Sequence, residues 1–261
     1  MKVGTDYTLR ELMICSAARE IKNGDIVFVG MRLPLIAFVV AKQIYAPDSV
    51  GLFENGVIRS TPSRSLIYTM GDSPNLVGAT STGDMLSVMA YLQQGRVDVG
   101  FLGGAEVDKF GNLNSTIVKN EDSAVRLPGS GGACDIASLA KRVLIIMNHE
   151  KHRFVERVNY ITSPGHGDGL LRREDIGLRG GGPAALISTM GVFGFVDGVM
   201  NTRSIHPGFT AAELIDATGF DLQVPGDVME TEHPKEDELK VIREYDPKGF
   251  WTGWNSEERG N

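Results

Sequence analysis

The sequence of 261 residues has no run of Lys and Arg, only two cysteines and no apolar stretch of membrane-spanning length. Its net charge of −7 leaves no basic face to neutralise phosphates, which argues against nucleic-acid binding. The most apolar helical candidate, around Leu33 to Tyr45, is too short to cross a bilayer and contains Lys42. The N-terminus has no apolar signal core, so we expect a cytoplasmic protein that stays out of membranes.

Several catalytic signatures are missing as well. The chain has no dinucleotide fingerprint, no phosphate loop, no Gly-x-Ser-x-Gly elbow and no His-Glu-x-x-His helix. Its five histidines are scattered, and Cys15 and Cys134 have no metal-ligand spacing. We therefore expect no metal and no tightly bound cofactor. Cys15 falls in a helical pattern typical of a small core residue, whereas Cys134 lies beside a glycine cluster.

The first half alternates helices with short hydrophobic strands. A capping box at Thr8-Leu9-Arg10-Glu11 begins a helix that Asn23-Gly24 ends. Further helices are predicted from Leu33 to before Pro47, at Asp84 to Gln94 and at Asp135 to Ala140. Strands are predicted at Ile26–Val29, Val50–Phe53, Val97–Leu102, Val143–Met147 and Val158–Thr162. This alternation indicates crossovers on a parallel sheet, hence an α/β fold with an open, mainly parallel sheet and helices on both faces.

The second half predicts antiparallel additions to that sheet. Ser163 to Pro183 is a glycine-rich loop, after which Ala184–Thr189 and Val192–Val196 are extended and close in sequence. Turn signals at Gly191 and Asp197-Gly198 favour antiparallel pairing. Two more helices are predicted, one from a capping box at Thr210 to Glu213 and one at Pro234–Tyr245. No low-complexity linker divides the chain, so we expect one domain over residues 1–261, with 255–261 as a frayed tail.

The main candidate for catalysis is Glu54. It follows the apolar strand that ends at Phe53, and Asn55-Gly56 makes a turn directly after it. A carboxylate in this place is held on rigid backbone, and sites of open parallel sheets lie outside the carboxyl ends of the strands. The alternative is a solvated turn residue.

A second candidate is the run Gly129-Ser130-Gly131-Gly132-Ala133 before a helix. Consecutive small residues there let backbone N–H groups converge on an anion or an oxyanion. The alternative is a simple glycine turn. For the acidic and amide-rich stretch from Glu106 to Ser115 we favour a structural turn, in which Asp108 and Asn112 bond local backbone.

Taken in order, short motifs along nearly the whole chain resemble the class I CoA-transferases, in particular the β subunits of the glutaconate branch. The motifs are Ile21-Lys22-Asn23-Gly24, Leu33-Pro34-Leu35-Ile36, Tyr45-Ala46-Pro47-Asp48, Glu54-x-Gly56, Gly103-Gly104-Ala105, Gly111 to Thr116, Gly129 to Ala133, His149-Glu150-Lys151, Ser163-Pro164-Gly165 and Thr218 to Leu222.

The resemblance implies a function. The glutamate at the position of Glu54 is that family's nucleophile, which forms a mixed anhydride with an acyl-CoA and then a glutamyl-CoA thioester before an acceptor carboxylate completes the exchange. Gly131 and Gly132, with Ala133 and Gly30, would stabilise the oxyanion or bind CoA. Coenzyme A is then a substrate, and the partner is a homologous α subunit in a heterodimer that assembles into a heterotetramer or larger complex. Acyl groups such as glutaconate would be exchanged.

The sequence departs from that family in one place. The family's β subunit usually has Gly-x-Gly-x-Leu-Pro after the first strand, whereas this chain has Gly30-Met31-Arg32-Leu33-Pro34. We expect Arg32 to contact a substrate carboxylate, with Asn55 as a second contact. The alternative is that Arg32 pairs with a protein carboxylate or the partner subunit.

Two other functions stay open. Ser204 to Gly208 and Asp216-Ala217-Thr218 resemble the β subunit of a ring-cleaving hydrolase of steroid CoA esters on the same fold. That relative lacks the glutamate, and a decarboxylase relative carries a cysteine near its position. A hydrolase or lyase of cyclic or branched acyl-CoA esters is therefore the alternative function, and a noncatalytic subunit is another. Glu54 favours the transferase.

Overall fold

The computed structural model describes residues 6–120 and 123–255. They form two compact units, unit 1 from Met1–Phe101 with Glu232–Asn261 and unit 2 from Leu102–Thr231. Of the tail predicted to fray, residues 256–261 lie outside the described residues. The prediction of a single domain stays a prediction.

The described chain contains seven helices and fourteen strands. The helices are α1 (Leu9–Ala18), α2 (Leu33–Ile44), α3 (Ser73–Leu76), α4 (Met85–Gln93), α5 (Ala133–Leu139), α6 (Ala211–Asp216) and α7 (Glu236–Tyr245). The strands are β1 (Ile26–Phe28), β2 (Val50–Leu52), β3 (Val57–Arg59), β4 (Ser81–Thr82), β5 (Val99–Leu102), β6 (Glu106–Val107), β7 (Leu113–Asn114), β8 (Ile117–Asn120), β9 (Ser123–Arg126), β10 (Arg142–Met147), β11 (Pro183–Ser188), β12 (Gly191–Val196), β13 (Val199–Ile205) and β14 (Met229–Glu230).

Local capping fixes where the predicted helices begin. Thr8 and Glu11 close a reciprocal capping box on α1, and Thr210 and Glu213 do the same on α6. Asp84 caps α4 by accepting from the Ser87 N–H at 2.8 Å. These three helices and α2, α5 and α7 were all predicted from sequence and are confirmed, but α1 ends at Ala18, before the Asn23-Gly24 turn that was predicted to end it.

Unit 1 has a sheet with a parallel centre and an antiparallel edge. The strand β1 pairs in parallel with β2 on one side and with β5 on the other, whereas β3 and β4 continue the sheet antiparallel to their neighbours. Seven consecutive residues of α2 are buried, Leu35 to Ala41, as expected of a helix enclosed on every side. Gly51 lets this helix approach β2, because a Cβ there would lie 2.8 Å from the Phe38 ring.

Two ion pairs attach the last helix of unit 1 to the first. The Arg19 guanidinium donates to both carboxylate oxygens of Glu238, at 3.0 and 2.6 Å, and Arg243 Nε donates to Glu11 Oε1 at 2.9 Å. Both glutamates are fully buried. Because each buried charge has a partner, residues far apart in sequence form one helical layer, in which α2 packs against α1 and α7.

Unit 2 carries the antiparallel additions. The strand β10 pairs in parallel with β11, then β11, β12 and β13 run antiparallel, and β14 is parallel to β13. Asp197 and Gly198, with φ of 50° and 78°, form the tight turn between β12 and β13 that was predicted from their sequence. The predicted α/β class, with parallel pairing and antiparallel additions, is confirmed.

One predicted strand is wrong. Residues 158–162 form no strand, because they make single hydrogen bonds to separate segments instead of a continuous ladder. The Asn159 N–H donates to Glu106 at 2.9 Å, and the Thr162 hydroxyl accepts from the Ser115 N–H at 2.9 Å. In the described part of the chain, helices are all too short or too polar to span a bilayer.

Candidate active site

Glu54 and Asn55 are the central residues of the turn between β2 and β3. The turn is closed by Phe53 N–H bonding to the Val57 carbonyl at 2.8 Å and by Gly56 N–H bonding to the Phe53 carbonyl at 2.9 Å. This is a three-residue hairpin loop, a rigid connection between paired strands. Phe53 is buried beneath it, and Glu54 is half-buried at the carboxyl end of β2. The predicted strand-end position and turn of Glu54 are confirmed.

Gly56 fixes the rear of this turn against the start of α4. Its φ is 97°, and a Cβ there would lie 2.5 Å from the Gly83 carbonyl and 2.6 Å from the Asp84 nitrogen. The backbone of Gly83 occupies the place that a side chain at residue 56 would take, and the Gly83 N–H donates to the Gly56 carbonyl at 2.9 Å. Only glycine meets both requirements at this position, so the close contact behind Glu54 depends on Gly56.

Asn55 links the turn to the segment that follows β3. Its side-chain amide donates to the Met70 carbonyl at 2.7 Å, and its Oδ1 accepts from Val57 N–H at 3.4 Å. The side chain is exposed. Its role in substrate binding stays a prediction, and in this structure its amide N–H already donates to the Met70 carbonyl.

Arg59, which sequence reasoning missed, organises that same segment. Its guanidinium is 2% exposed and donates to five backbone carbonyls, those of Thr61, Pro62, Pro74, Asn75 and Val77. Burial lowers the pKa of the Arg59 guanidinium from its usual value. The carbonyl dipoles compensate the buried charge and hold residues 61–77 beside the turn. A lone arginine in a short strand gives no sequence signal for this role.

Gly30 and Arg32 lie at the neighbouring strand end. In the parallel register, Phe28 is paired with Leu52, and two residues further along each strand are Gly30 and Glu54. Arg32 is the N-cap of α2. Its φ of 67° and ψ of −122° are a backbone conformation that residues other than glycine rarely adopt. The structure therefore brings Glu54, Asn55, Gly30 and Arg32 to one edge of the unit 1 sheet.

The Arg32 guanidinium is exposed and lies over the ring of Trp251, 5.3 Å from its centroid. Over residues 6–120 and 123–255, no carboxylate forms an ion pair with it, so the alternative of pairing with a carboxylate of this chain is not seen. Trp251 was not anticipated as part of this region, because nothing in the sequence links residue 251 to the end of β1.

The glycine cluster lies in unit 2. Gly129 and Gly131 have φ of 97° and 49°, and Gly132 is the N-cap of α5. Ser130 bonds twice within the loop, its carbonyl accepting from Ala133 N–H at 2.9 Å and its hydroxyl from Cys134 N–H at 3.2 Å. An oxyanion role for Gly131 and Gly132 stays a prediction, and Ala133 would have to exchange its present bond to take part.

The two buried histidines of unit 2 are structural. His149 bonds to the hydroxyls of Ser188 and Thr218 at 3.1 and 3.0 Å, and His206 bonds to the Thr231 hydroxyl and the Ser188 carbonyl, both at 2.9 Å. Burial lowers the pKa of His149 to about 3, helped by its proximity to His206, and lowers the pKa of His206 to about 4. Both rings are therefore neutral at physiological pH, with both nitrogens bonded.

The acidic and amide-rich stretch is also structural, as predicted. Asp108 accepts from the backbone of Phe110 and Asn112 at 3.0 and 3.1 Å, and burial raises the pKa of this carboxyl. Asn112 in turn receives the Gly165 N–H at 2.7 Å. Cys15 is buried as predicted, and burial raises the pKa of its thiol, whereas Cys134 is exposed.

Comparison with known proteins finds relatives along most of the chain. The family model described as coenzyme A transferase matches residues 10–217. The β subunit of the 3-oxoadipate CoA-transferase of Pseudomonas knackmussii is 40% identical over 241 residues, covering 91% of this chain and 92% of that protein. The β subunit of the glutaconate CoA-transferase of Acidaminococcus fermentans is 35% identical over 256 residues, covering 92% of each.

Solved structures show the same fold. The crystal structure of glutaconate coenzyme A-transferase from Acidaminococcus fermentans superposes with a TM-score of 0.86 at 32% identity, covering 95% of this chain and 98% of that chain. The decarboxylase AibA/AibB superposes with a TM-score of 0.80 at 27% identity, covering 94% and 97%.

Proposed function

The chain belongs to the coenzyme A transferase family, and from that premise we propose that it is the nucleophile-bearing subunit of a transferase that moves CoA between dicarboxylic acids. The observation that carries the proposal is Glu54, placed at a strand end on a turn that two backbone hydrogen bonds close and that packs against the start of α4. A positioned nucleophile lowers the entropic cost of attack, and a rigid turn supplies that position.

In the proposed reaction, Glu54 attacks the thioester carbonyl of an acyl-CoA. The carbon–sulfur bond breaks, leaving a mixed anhydride and the CoA thiolate. The thiolate attacks the glutamyl carbonyl, releasing the free acid and forming a Glu54–CoA thioester. An acceptor carboxylate reverses these steps and leaves as a new CoA ester. Each addition places negative charge on a former carbonyl oxygen, for which the N–H groups of Gly131 and Gly132 are the proposed donors.

The substrate class follows from the relatives. The two β subunits that cover more than nine-tenths of the chain are named for 3-oxoadipate and glutaconate, both dicarboxylates. We take a dicarboxylate as the acyl group exchanged here. Each of these relatives is named as one subunit of its enzyme, which supports a partner for this chain too. We propose that a homologous α subunit completes the enzyme, in a heterodimer that assembles further.

A second candidate is a decarboxylase or hydrolase of acyl-CoA esters. The similarity to the decarboxylase AibA/AibB favours it, since the two folds superpose closely. The two functions differ in what they leave on the enzyme, because only the transferase route passes through a covalent Glu54–CoA thioester.

The test is to trap that thioester. The complex with the α subunit is incubated with glutaryl-CoA without acceptor, reduced with borohydride and mapped by mass spectrometry. We expect reduction at Glu54, and at least about 10³-fold loss of transfer in Glu54→Gln. The exposed Glu236→Gln in the same unit is the matched control and should keep its activity.

Labelling at another residue, or full transfer by Glu54→Gln, would overturn the covalent mechanism. Decarboxylation or hydrolysis of the ester with no residue labelled would identify the second candidate. The chain without its α subunit should give no turnover.

A further inference from the structure

The backbone of Arg32 is in a conformation that its side chain makes unfavourable. With φ 67° and ψ −122°, it occupies a region that glycine adopts freely and that is strained for other residues. The Arg32 side chain does not cap α2, because it makes no hydrogen bond to the first turn of that helix. A residue that strains its backbone without bonding to its own helix is a candidate for a role outside the fold.

The guanidinium of Arg32 is held in place and left open to solvent. It lies over Trp251 at 5.3 Å, a cation–π contact that leaves the N–H donors at the rim of the group available. Among residues 6–120 and 123–255 it forms no ion pair. Its charge is therefore not neutralised by the protein that the structure describes.

Trp251 is itself fixed by a compact hook after α7. The buried Asp246 carboxylate accepts from the N–H groups of Phe250, Trp251 and Thr252, at 2.8, 2.9 and 3.1 Å. The carbonyl of Thr252 accepts from the Thr8 hydroxyl at 3.1 Å, which joins the hook to the start of α1. The aromatic surface beneath Arg32 is thus a rigid part of unit 1.

The geometry points to Arg32 as the receptor for the distal carboxylate of the acyl group, with Trp251 as the residue that positions it. The inference rests on the proposed function and names the residue that selects the substrate class. Arg32 lies two residues after Gly30, beyond the end of β1, and Glu54 lies beyond the end of the parallel neighbour β2, so the cation and the nucleophile belong to the same edge of the sheet. A guanidinium held on one face can offer two parallel N–H bonds to a carboxylate, a geometry that lysine cannot copy.

The experiment compares glutaryl-CoA with pentanoyl-CoA, which has the same number of carbons and no distal carboxylate. With acetate as acceptor, kcat/KM is measured for both esters in the complex with the α subunit. In Arg32→Gly the glutaryl/pentanoyl ratio should fall about thirtyfold or more, because a hydrogen-bonded charge pair is lost from one substrate only. Arg32→Lys should recover part of the ratio.

Trp251 is tested by Trp251→Leu and Trp251→Phe. The leucine should lower the same ratio several-fold, and the phenylalanine should restore it, because a ring but not an aliphatic group can hold the guanidinium. The control is Arg96→Ala, which removes an exposed guanidinium elsewhere in unit 1 and should leave the ratio unchanged.

A binding arm keeps the inference separate from the transferase mechanism. Free glutarate and pentanoate are titrated calorimetrically into the same complexes, with glutarate expected to bind wild type and to lose at least tenfold in Arg32→Gly. If wild type transfers neither ester, the proposed function fails, and the glutarate titration still decides the role of Arg32. Equal losses for both esters, with equal binding of glutarate to wild type and Arg32→Gly, would overturn the inference.

Discussion

The sheet edge of unit 1 that carries Glu54 and the histidine cluster of unit 2 both collect polar groups at strand ends, but they pair those groups differently. In unit 2, both nitrogens of His149 and of His206 have hydrogen-bond partners inside the protein. At the edge of unit 1, Arg32 adopts a glycine conformation and its guanidinium faces an aromatic ring in place of a carboxylate. Histidine is a common catalytic residue, but the two buried rings have all their hydrogen bonds inside the protein. The strained backbone of Arg32 and its guanidinium without a carboxylate partner favour the sheet edge of unit 1 as the site.

The largest effect is expected for the buried histidines of unit 2 when the pH is lowered. The pKa values of about 3 and about 4 for His149 and His206 lie below the usual 6.5, so the unfolded chain binds protons that the folded chain does not. The free energy of unfolding is therefore expected to fall as pH drops below 6.5. From pH 7.5 to pH 5 the loss should be about 2 kcal/mol for each ring, about 4 kcal/mol for both.

Denaturant unfolding at stepped pH measures this loss. A free energy of unfolding that does not vary between pH 5 and 7.5 would mean that the buried rings accept protons in the folded state, and the contrast between the two regions would fail.

The next test acts on the turn of Glu54. In Gly56→Ala, a Cβ would enter within 2.6 Å of the backbone of Gly83 and Asp84 at a φ of 97°. We expect a loss of about 3 kcal/mol in the free energy of unfolding, with loss of transfer although Glu54 is retained. Thermal or denaturant unfolding and a transfer assay measure the two effects.

Gly95→Ala is the matched control for this change. Gly95 also has a positive φ, 68°, but no atom lies within 4 Å of the position that a methyl group would take there. The substitution should cost only about 1 kcal/mol and keep the activity. Equal effects in the two variants would show that the contact behind the turn is unimportant.

The smallest expected effect is an increase in the free energy of unfolding, caused by a substitution at Arg32. Arg32→Gly should stabilise unit 1 by about 1 kcal/mol, because the relief of backbone strain exceeds the entropy that a glycine adds to the unfolded chain. Arg32→Ala keeps the strain and should show no gain. Arg96→Gly, at a position without positive φ, should lose stability. Destabilisation by Arg32→Gly would mean that the arginine supports the fold, and the edge of unit 1 would then resemble the cluster of unit 2.

Much of the fold was predictable because its signals are local. The capping boxes of α1 and α6 and the Asp197-Gly198 turn each act within a few residues, and the structure forms all three. The short strand β3 was missed because its apolar run is only Val57 and Ile58, and β13 because Asn201 and Arg203 interrupt its apolar pattern. The strand predicted near Val158 failed because its hydrogen-bond partners are single groups in distant segments, which no local pattern records.

The candidate site divides in the same way. The end of β2 and the Asn-Gly turn were readable, and they placed Glu54 correctly at a strand end. Arg32 stood out only by its departure from a family pattern. Trp251 and the carbonyl acceptors of Arg59 were not predictable, since those contacts depend on how residues far apart in the chain, or backbone atoms of any sequence, meet in the fold.

The way Arg59 is bound has a consequence for how this enzyme can diversify. Its five acceptors are main-chain carbonyls, so this cation holds the backbone of residues 61–77 without using their side chains. Substitutions at exposed positions such as Arg64 and Tyr68 leave those carbonyls unchanged. Natural drift or a mutant library could therefore change the exposed side chains of this segment while Arg59 still holds its backbone. For the transferase proposed above, that makes the segment a favourable place for new acyl preferences to evolve.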